Sequence, residues 1–228
     1  MCGRYGLFHE ASEIATSFGA DIARLDPPLR PRYNLAPTQG APIVLSRDGE
    51  GRVALTARWG LIPHWVRDPA TFRATLINAR SESAHAKPSF RDAFRDARCL
   101  VPASGFYEWS PSEAGGPKRP WFVRRRDGSL LALAGLYASR PEGTSFTIVT
   151  TRPNALLERI HDRQPVIVPQ GALDAWLDPA RRDAAALSDL LEPSDPDALE
   201  VVPVSTRVNA PRNDAPDLIV AVGTPLTT

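Results

Sequence analysis

Cys2 carries the most distinctive chemistry of the sequence. Methionine aminopeptidases remove Met1 when the second residue is small, so we expect a mature chain that begins with cysteine. An N-terminal cysteine places an α-amine, with an unperturbed pKa of about 7.7–8.0, beside a thiol with a pKa of about 8.5. Both groups are therefore available as nucleophiles near neutral pH.

This 1,2-aminothiol predicts two alternative reactions. With an aldehyde, the amine forms a Schiff base and the thiol then closes a five-membered thiazolidine ring. With an acyl carbon, the thiol attacks while the amine acts as the base. Position alone leaves a third interpretation open, a small buried cysteine near the terminus, because free cysteine is often simply buried.

Glu108 is the candidate for moving protons. It lies between Phe106-Tyr107 and Trp109, and aromatic neighbours exclude water and raise the pKa of a carboxyl group toward neutrality. Alternation along a strand favours a different interpretation, a surface glutamate between inward-facing aromatic side chains.

Two further segments carry polar side chains in suggestive positions. His161 follows a predicted helix and precedes Asp162, and either the carboxylate or the helix C-terminus would support the imidazolium form. Asn78 and Arg80 are two residues apart, so they share one face of an extended segment. Each has an ordinary alternative, a solvated histidine at a helix end and a polar loop.

Metal and cofactor motifs are missing from the sequence. The four histidines have no ligand spacing with either cysteine, and neither Cys-x-x-Cys nor Gly-x-Gly-x-x-Gly occurs, so we expect no metal and no cofactor. Arginines beside Tyr33, Trp59 and Trp65 are typical of grooves that bind single-stranded nucleic acid. Aromatic core residues next to surface arginines produce the same pattern.

The elements predicted around these residues are short strands and short helices. Hairpin signals lie at 47–51 and at Asp127-Gly128, and Ser12 is a candidate helix cap. Helices are predicted over 9–19, 87–97, 153–160, 172–177 and 181–191, and strands over 43–45, 53–57, 99–103, 121–126, 130–134, 145–150, 165–168, 201–204 and 218–222. Residues 59–77 are expected to be rich in loops, and 110–120 to form a polar excursion between strands.

Composition sets the outer limits. The chain has 228 residues, 43% of them hydrophobic, and a net charge of +1, which excludes a polybasic binder but not a local basic groove. We expect one α+β domain over 1–228, with its core over about 2–222. No apolar run approaches the ~20 residues that span a bilayer, and no signal-peptide pattern is present. We therefore expect a cytoplasmic protein whose Cys2 and Cys99 stay reduced.

Several segments of the sequence, taken in chain order, resemble the SRAP family, the SOS-response-associated peptidases that form abasic-site DNA–protein cross-links. Gln164 is a departure from the family, which more often has Met or Arg there. The resemblance covers residues 1 to about 221 and rests on the segments 1–5, 33–38, 58–65, 78–82, 104–109, 134–137, 160–165 and 204–213.

The resemblance implies a compact α+β domain with a barrel-like mixed β core, flanking helices and a positively charged channel for single-stranded DNA. It implies that Cys2 attacks the ring-opened aldehyde of an abasic site and ends as a thiazolidine. An abasic site has no base to extrude, which favours this lesion as a target in single strands. Autoproteolytic removal of Met1, or a peptidase-like activity, is a secondary implication. We expect a monomer that avoids membranes and joins the nucleoid when bound to DNA.

Residue roles follow from the resemblance by position. Asn78 positions the Cys2 terminus and the sugar, Glu108 moves protons during Schiff-base formation, and His161 assists sugar-ring opening and reversal. The remaining candidates bind DNA: Arg4, Arg80 and Arg163 at phosphates, with Asn34, Pro37 and Trp65 shaping the channel around the lesion.

Two functions from other classes stay open. Met-Cys-Gly also begins the N-terminal-nucleophile glutamine amidotransferases, although 228 residues leave little room for the synthetase domain that such enzymes usually carry. A non-catalytic binder of single strands would need only the aromatic and arginine residues, and Cys2 would be idle. Cys2→Ala separates the binder from both enzymes, and a glutaminase assay separates the enzymes from each other.

Overall fold

Short strands and short helices alternate along the computed structural model, which describes residues 2–111 and 115–227. Met1, whose removal is predicted above, and the centre of the predicted polar excursion at 110–120 lie outside the described residues. The elements are β1 (Tyr5–Leu7), α1 (Ala11–Phe18), β2 (Ala20–Arg24), β3 (Arg32–Leu35), β4 (Gly40–Arg47), β5 (Gly51–Trp59), β6 (Asn78–Arg80), α2 (Ser81–Ala84), α3 (Arg91–Asp96), β7 (Arg98–Ala103), β8 (Gly105–Ser110), β9 (Arg119–Arg125), β10 (Leu131–Arg140), β11 (Gly143–Thr151), β12 (Gln164–Pro165), α4 (Leu173–Leu177) and β13 (Leu199–Pro203).

Five strands close into a barrel in the order β11, β10, β7, β4, β5. The neighbours are antiparallel, and β5 returns to β11 through a parallel pairing of Arg58 with Ser145 and of Trp59 with Phe146. Closure leaves these strands without free edges. The predicted α+β domain with a barrel-like mixed β core is confirmed.

A second sheet packs beside the barrel, with strand order β13, β9, β8, β1, β3. Its inner face joins the main core, and its outer face is covered by a smaller apolar cluster that includes Tyr107, Phe122 and Leu218. Because both faces are covered, β8 does not alternate between buried and exposed side chains. β8, which carries Glu108, and β1, which follows Cys2 and Arg4, are neighbours in this sheet.

The predicted hairpin at Asp127-Gly128 is wrong, although the turn itself forms. Gly128 adopts a positive φ of 74° and its N–H donates to the Arg125 carbonyl at 3.1 Å. The strands on either side then diverge: β9 pairs with β8 and β13, whereas β10 pairs with β7 and β11. Turn chemistry fixes the local backbone but does not decide which sheet a strand enters.

Several predicted elements are shorter than expected or of another type. The hairpin of β4 and β5, the helix at α1 and the buried strand β7 are confirmed, and Glu10 caps α1 in place of Ser12. The segment 153–160, predicted as a helix, contains only the 3₁₀ turn Leu157–Arg159. The segment 181–191, also predicted as a helix, contains the 3₁₀ helix Ala185–Leu191. The strand predicted over 218–222 is wrong, because Pro216 begins the 3₁₀ helix Pro216–Ile219 that buries Leu218.

Gly105 provides a test of how tightly the second sheet is packed. A Cβ at this position would lie 2.3 Å from Cζ of Phe122 and 2.6 Å from the Val123 carbonyl oxygen. A backbone oxygen cannot swing away, so we expect Gly105→Ala to lower the free energy of unfolding by about 3 kcal/mol, measured by urea denaturation. Gly171→Ala is the control, because nothing lies within 4 Å of its Cβ position. Equal stability of the two variants would contradict this packing.

Two further expectations concern membrane-spanning segments and the two cysteines. No helix among them is long and apolar enough to span a membrane. Both Cys2 and Cys99 are free thiols and fully buried.

Candidate active site

Cys2 lies directly before β1 and is fully buried. β1 is paired with β3 and β8, and the Tyr107 N–H donates to the Arg4 carbonyl at 2.9 Å, so this terminal segment is fixed on both sides. Asn78 Nδ2 donates to the Cys2 carbonyl oxygen at 2.9 Å. Asn78 begins β6, which pairs with β11 of the barrel. The candidate site therefore forms where the second sheet meets the barrel.

The environment of Cys2 disfavours its thiolate. Burial raises the pKa of the thiol far above its usual value, and the negative charge of Glu108 raises it further. A thiol in this setting stays protonated near neutral pH. It can act as a nucleophile only when a neighbouring base takes its proton as the new bond forms.

Glu108 is the acidic neighbour whose charge acts on the Cys2 thiol. It lies on β8 and is 3% exposed, so the surface interpretation from strand alternation is wrong, because β8 is covered on both faces. Burial raises the pKa of its carboxyl group to about 7. A carboxyl with this pKa is present in both protonated and ionised forms at neutral pH, which suits general acid and base catalysis.

His161 has two competing partners at the same ring nitrogen. Nδ1 lies 3.0 Å from the Arg163 N–H, which donates to it, and 2.8 Å from Oδ1 of Asp162. Nδ1 accepts from Arg163 only when it carries no proton, and donates to Asp162 only when it does. Burial lowers the pKa of His161, and this effect exceeds the opposing influence of Asp162. The neutral imidazole is favoured, in contrast to the predicted imidazolium.

Arg163 joins the His161 loop to α2 and to β11. Its guanidinium donates to both oxygens of Glu82, at 2.6 and 2.9 Å, and to the Thr150 carbonyl at 2.5 Å. Glu82 is in α2, which follows β6 directly. The hydrogen bonds from Arg163 lower the pKa of Glu82. Only 12% of the Arg163 side chain is exposed, so in this structure its guanidinium holds neighbouring segments together instead of facing solvent.

Arg4 is held by residues from distant parts of the chain. Its Nη1 donates to Asn34 Oδ1 at 2.8 Å and to the Val208 carbonyl at 2.9 Å, and burial lowers the pKa of the guanidinium. Asn34 itself is fully buried. Its Nδ2 donates to the carbonyls of Val208, Ala210 and Asn213. Asn34 therefore lies beneath the surface, where it supports Arg4.

Removing the Asn34 amide should be costly. Asn34→Ala removes the amide's hydrogen bonds to three buried or half-buried carbonyls and one of the two acceptors of Arg4 Nη1, so we expect a loss of about 2–4 kcal/mol in unfolding free energy. Urea denaturation measures it. Asn209→Ala is the control, because Asn209 is exposed and accepts a single hydrogen bond, from Trp109 Nε1 at 2.8 Å. A loss as small as that of Asn209→Ala would contradict the supporting role of Asn34.

The remaining DNA-binding candidates lie nearer the surface. Arg80 is exposed at the end of β6, two residues beyond Asn78. Pro37 is half-buried after β3, and Trp65 is 51% exposed in the loop between β5 and β6. The sequence predicted that this segment is rich in loops.

The four catalytic candidates are brought to one place by electrostatic and hydrogen-bond contacts. Asn78 contacts Cys2 directly, and Glu108 raises the pKa of Cys2. The charge of Asp162 adds to the raised pKa of Glu108, so the His161 loop approaches Glu108 as well. Glu82 was missed as a partner of this site, and its only sequence signal was its place at the end of the 78–82 segment.

The groups in this cluster are of the types that transfer protons near neutral pH. It combines a protonated thiol, a carboxyl group with a pKa of about 7 and a neutral imidazole. Among the residues that the structure describes, no group of three or more His, Cys, Asp or Glu side chains is arranged to hold a metal ion.

Known proteins are similar to this chain in sequence and fold. A family model described as SOS response associated peptidase (SRAP) matches residues 1–211. The abasic site processing protein YoqW of Bacillus subtilis is 40% identical over 224 residues, which cover 96% of this chain and 99% of that protein. The abasic site processing protein HMCES of Gallus gallus is 32% identical over 228 residues, covering 85% of this chain and 67% of that protein.

Solved structures agree with the sequence comparisons. A crystal structure from Bacteroides thetaiotaomicron superposes with a TM-score of 0.82 at 26% identity, covering 97% of this chain and all of that one. One from Bordetella bronchiseptica has a TM-score of 0.75 at 28% identity, covering 90% of this chain and all of that one. The similarity in both sequence and fold thus extends over nearly the whole chain.

Proposed function

Because this chain belongs to the SOS response associated peptidase family, we propose that it processes abasic sites in DNA, and that it does so by bonding covalently to them through Cys2. The support from relatives is that YoqW and HMCES are named abasic site processing proteins. The abasic site is an aldehyde when its sugar ring opens. An aldehyde is the electrophile that an N-terminal aminothiol captures best.

One observation carries the proposal: Cys2 is held by Asn78 next to a buried carboxyl group whose pKa is about 7. Removal of Met1 frees the Cys2 amine for attack. Asn78 fixes the Cys2 carbonyl, and with it the adjoining Cα that bears both nucleophiles. Orientation of reacting groups in this way removes much of the entropic barrier to bond formation.

The proposed reaction proceeds in two balanced steps. The amine adds to the aldehyde carbon, and Glu108 in its protonated form donates to the departing hydroxyl, so one water leaves and a protonated imine forms. The Cys2 sulfur then bonds to the imine carbon, and the imine nitrogen keeps its proton as the C=N double bond becomes a single bond. Glu108, now ionised, accepts the thiol proton and returns to its starting form. The thiazolidine thus forms with loss of one water and without an oxidant.

His161 and the arginines complete the proposal. The neutral imidazole of His161 is suited to take or return the sugar hydroxyl proton during ring opening and reversal. Arg80 is exposed next to the site and would contact a phosphate, as would Arg4 once a ligand engages it. Arg163 would bind a phosphate only if its guanidinium gave up the two hydrogen bonds to Glu82. Pro37 and Trp65 would border the strand on either side of the lesion.

Single-stranded DNA is the proposed substrate, since an unpaired lesion needs no strand separation before capture. Lyase-like Schiff-base chemistry and removal of Met1 by the protein itself belong to the same proposal, as does association with the nucleoid through DNA. Peptidase activity on other proteins is not needed for it. Family membership argues against the glutamine amidotransferase alternative.

A denaturing gel tests the proposal. The purified protein, with Met1 loss confirmed by intact mass, is mixed with an oligonucleotide that carries one abasic site and with the same oligonucleotide undamaged. We expect a slowly migrating band with the abasic strand alone, formed without borohydride. Absence of this band for the processed protein would contradict the proposal. Glutamine hydrolysis would then be assayed next.

A further inference from the structure

The loop that carries His161, residues 152–163, begins and ends at neighbouring strands. It leaves the end of β11 and returns at β12, where Gln164 pairs with Thr151 of β11. Inside the loop, His161 comes shortly after the 3₁₀ turn Leu157–Arg159. The orientation of its imidazole therefore depends on what holds the interior of this loop.

Two buried amide side chains hold that interior. Gln164 is fully buried, and Asn154 is 7% exposed. Gln164 Oε1 accepts the Asn154 N–H at 2.8 Å, and Asn154 Oδ1 accepts the Leu157 N–H at 2.9 Å. The His161 N–H in turn donates to the Leu157 carbonyl at 3.0 Å. A continuous series of hydrogen bonds thus runs from the Gln164 side chain to the backbone of His161.

Ser194 completes this network. Asn154 Nδ2 donates to the Ser194 carbonyl at 3.0 Å, and Gln164 Nε2 donates to Ser194 Oγ at 3.2 Å. Each amide therefore uses both its oxygen and its nitrogen, which determines which way round the amide lies. A buried polar network that is satisfied in this way rigidifies its surroundings and specifies one arrangement.

The two sides of His161 are held by different groups. Arg163 follows it in the loop, and the bonds of Arg163 to Glu82 and to the Thr150 carbonyl hold that side. The amide network holds the other side, through Leu157. A displacement of about 1 Å between reacting groups can slow a reaction by about 10²-fold. Loss of either support should therefore affect proton transfer by the imidazole.

We propose that Asn154 and Gln164 are positioning residues that orient the His161 imidazole for opening of the abasic sugar ring. In that step the anomeric hydroxyl gives its proton to the imidazole, the bond from the anomeric carbon to the ring oxygen breaks, and the ring oxygen takes the proton up. No atom is gained or lost, and neither amide exchanges a proton itself. The inference rests on the proposed function and deepens it. Gln164 is also where the sequence departs from the family, so its part in this support belongs to this chain.

A substrate that has no ring to open tests the positioning role. One oligonucleotide carries the abasic sugar, and a second carries at the same place an aliphatic aldehyde that cannot cyclise. We expect Gln164→Met, in single-turnover assays, to cross-link the abasic strand about 10- to 10²-fold more slowly than wild type. It should cross-link the linear aldehyde at the wild-type rate. A purely structural role would lower both rates together, so an equal change on the two substrates would overturn the inference.

Gln170→Met is the matched control for this substitution. Gln170 is exposed, and its side chain donates to the Ser17 carbonyl on α1 instead of to the His161 loop. We expect wild-type rates on both substrates from this variant. A loss on the abasic strand as large as that of Gln164→Met would overturn the assignment to the loop network.

A pair of substitutions at Asn154 tests the next hydrogen bond in the series, and decides the inference if Gln164→Met does not fold. Serine keeps an oxygen that can accept the Leu157 N–H, as asparagine does, whereas alanine has none. Both variants lose the bond to the Ser194 carbonyl. We expect Asn154→Ala to cross-link the abasic strand at least about tenfold more slowly than Asn154→Ser, with equal rates on the linear aldehyde. Equal rates on the abasic strand would overturn the inference.

The imidazole can also be observed without DNA, which separates this inference from the proposed function. Nitrogen chemical shifts of His161, assigned with His161→Gln, report which ring nitrogen carries the proton. We expect Nδ1 to be unprotonated in wild type, where it accepts from the Arg163 N–H, and partly protonated in Gln164→Met, where Asp162 competes for it. An unchanged tautomer in the variant would overturn the inference. If wild type cross-links neither aldehyde, the proposed function fails, and the tautomer still decides whether the amides orient His161.

Discussion

Replacing Cys2 with alanine is expected to reduce the yield of the stable DNA adduct by at least about 10³-fold, to below detection on a denaturing gel. Alanine is also small enough for Met1 removal, so the variant keeps an N-terminal amine. It can form the imine but has no sulfur to close the ring. The imine hydrolyses when the protein is denatured, whereas the thiazolidine persists.

Borohydride makes this prediction specific to the second step. Reduction traps an imine as a stable amine, so we expect Cys2→Ala to give a band only when borohydride is present. Cys2→Ser is the matched control, with a hydroxyl that is a far weaker nucleophile than a thiol. A full-intensity band from either variant without borohydride would contradict ring closure by the Cys2 sulfur.

Glu108→Gln is expected to slow cross-linking by about 10²- to 10⁴-fold, the usual contribution of a general acid or base. The wild-type rate should peak near pH 7 and fall on both sides, because ring closure needs the ionised form of Glu108 and dehydration needs the protonated form. The glutamine variant has neither form, so its pH profile should lack the titration near pH 7 and follow only the ionisation of the Cys2 amine. Single-turnover rates between pH 5 and 9 measure both effects.

Stability provides the control for folding of this variant. The folded-state pKa of Glu108 is raised to about 7 from an ordinary value of 4.5, so the folded protein holds this proton over a range in which the unfolded chain has lost it. Wild-type stability therefore falls as pH rises from about 4.5 to 7. Glutamine avoids this loss, and Glu108→Gln should be more stable than wild type by up to about 3 kcal/mol at pH 8.

The outcomes for Glu108 are distinguishable. A variant that is slower and more stable at pH 8 fits a buried catalytic carboxyl, which is retained at a cost in stability. A variant that is slower and less stable would mean that Glu108 is structural. Glu158→Gln, at an exposed position, should change neither quantity. A wild-type rate in Glu108→Gln would remove Glu108 from the mechanism.

Local signals in the sequence predicted local structure well. The alternation in β4 and β5 and the turn between them predicted that hairpin, and the turn at Asp127-Gly128 forms as its residue types require. What failed was long-range: the strands after that turn enter different sheets. The interpretation of Glu108 as a surface residue was wrong for a similar reason. Nothing in the sequence of β8 indicates that a second layer covers the outer face of the sheet.

The catalytic candidates were predictable by residue type, but their supports were not. Cys2 and Glu108 carry chemistry that can be recognised in the sequence. Asn34 holds Arg4 and a segment about 180 residues away, and Glu82 holds Arg163 across the His161 loop. Such partners are determined by how the two sheets pack. A composition or a period of two or 3.6 residues contains no information about them.

The central claim is that Cys2 ends as a thiazolidine on the abasic sugar, and mass spectrometry of the digested cross-link tests it most directly. We expect a peptide that begins at Cys2, with a mass equal to that peptide plus the abasic nucleotide remnant minus one water. Its thiol should not react with iodoacetamide, since the sulfur is in the ring. An adduct at another residue, a retained Met1, or an alkylatable Cys2 thiol in the adduct would contradict the mechanism.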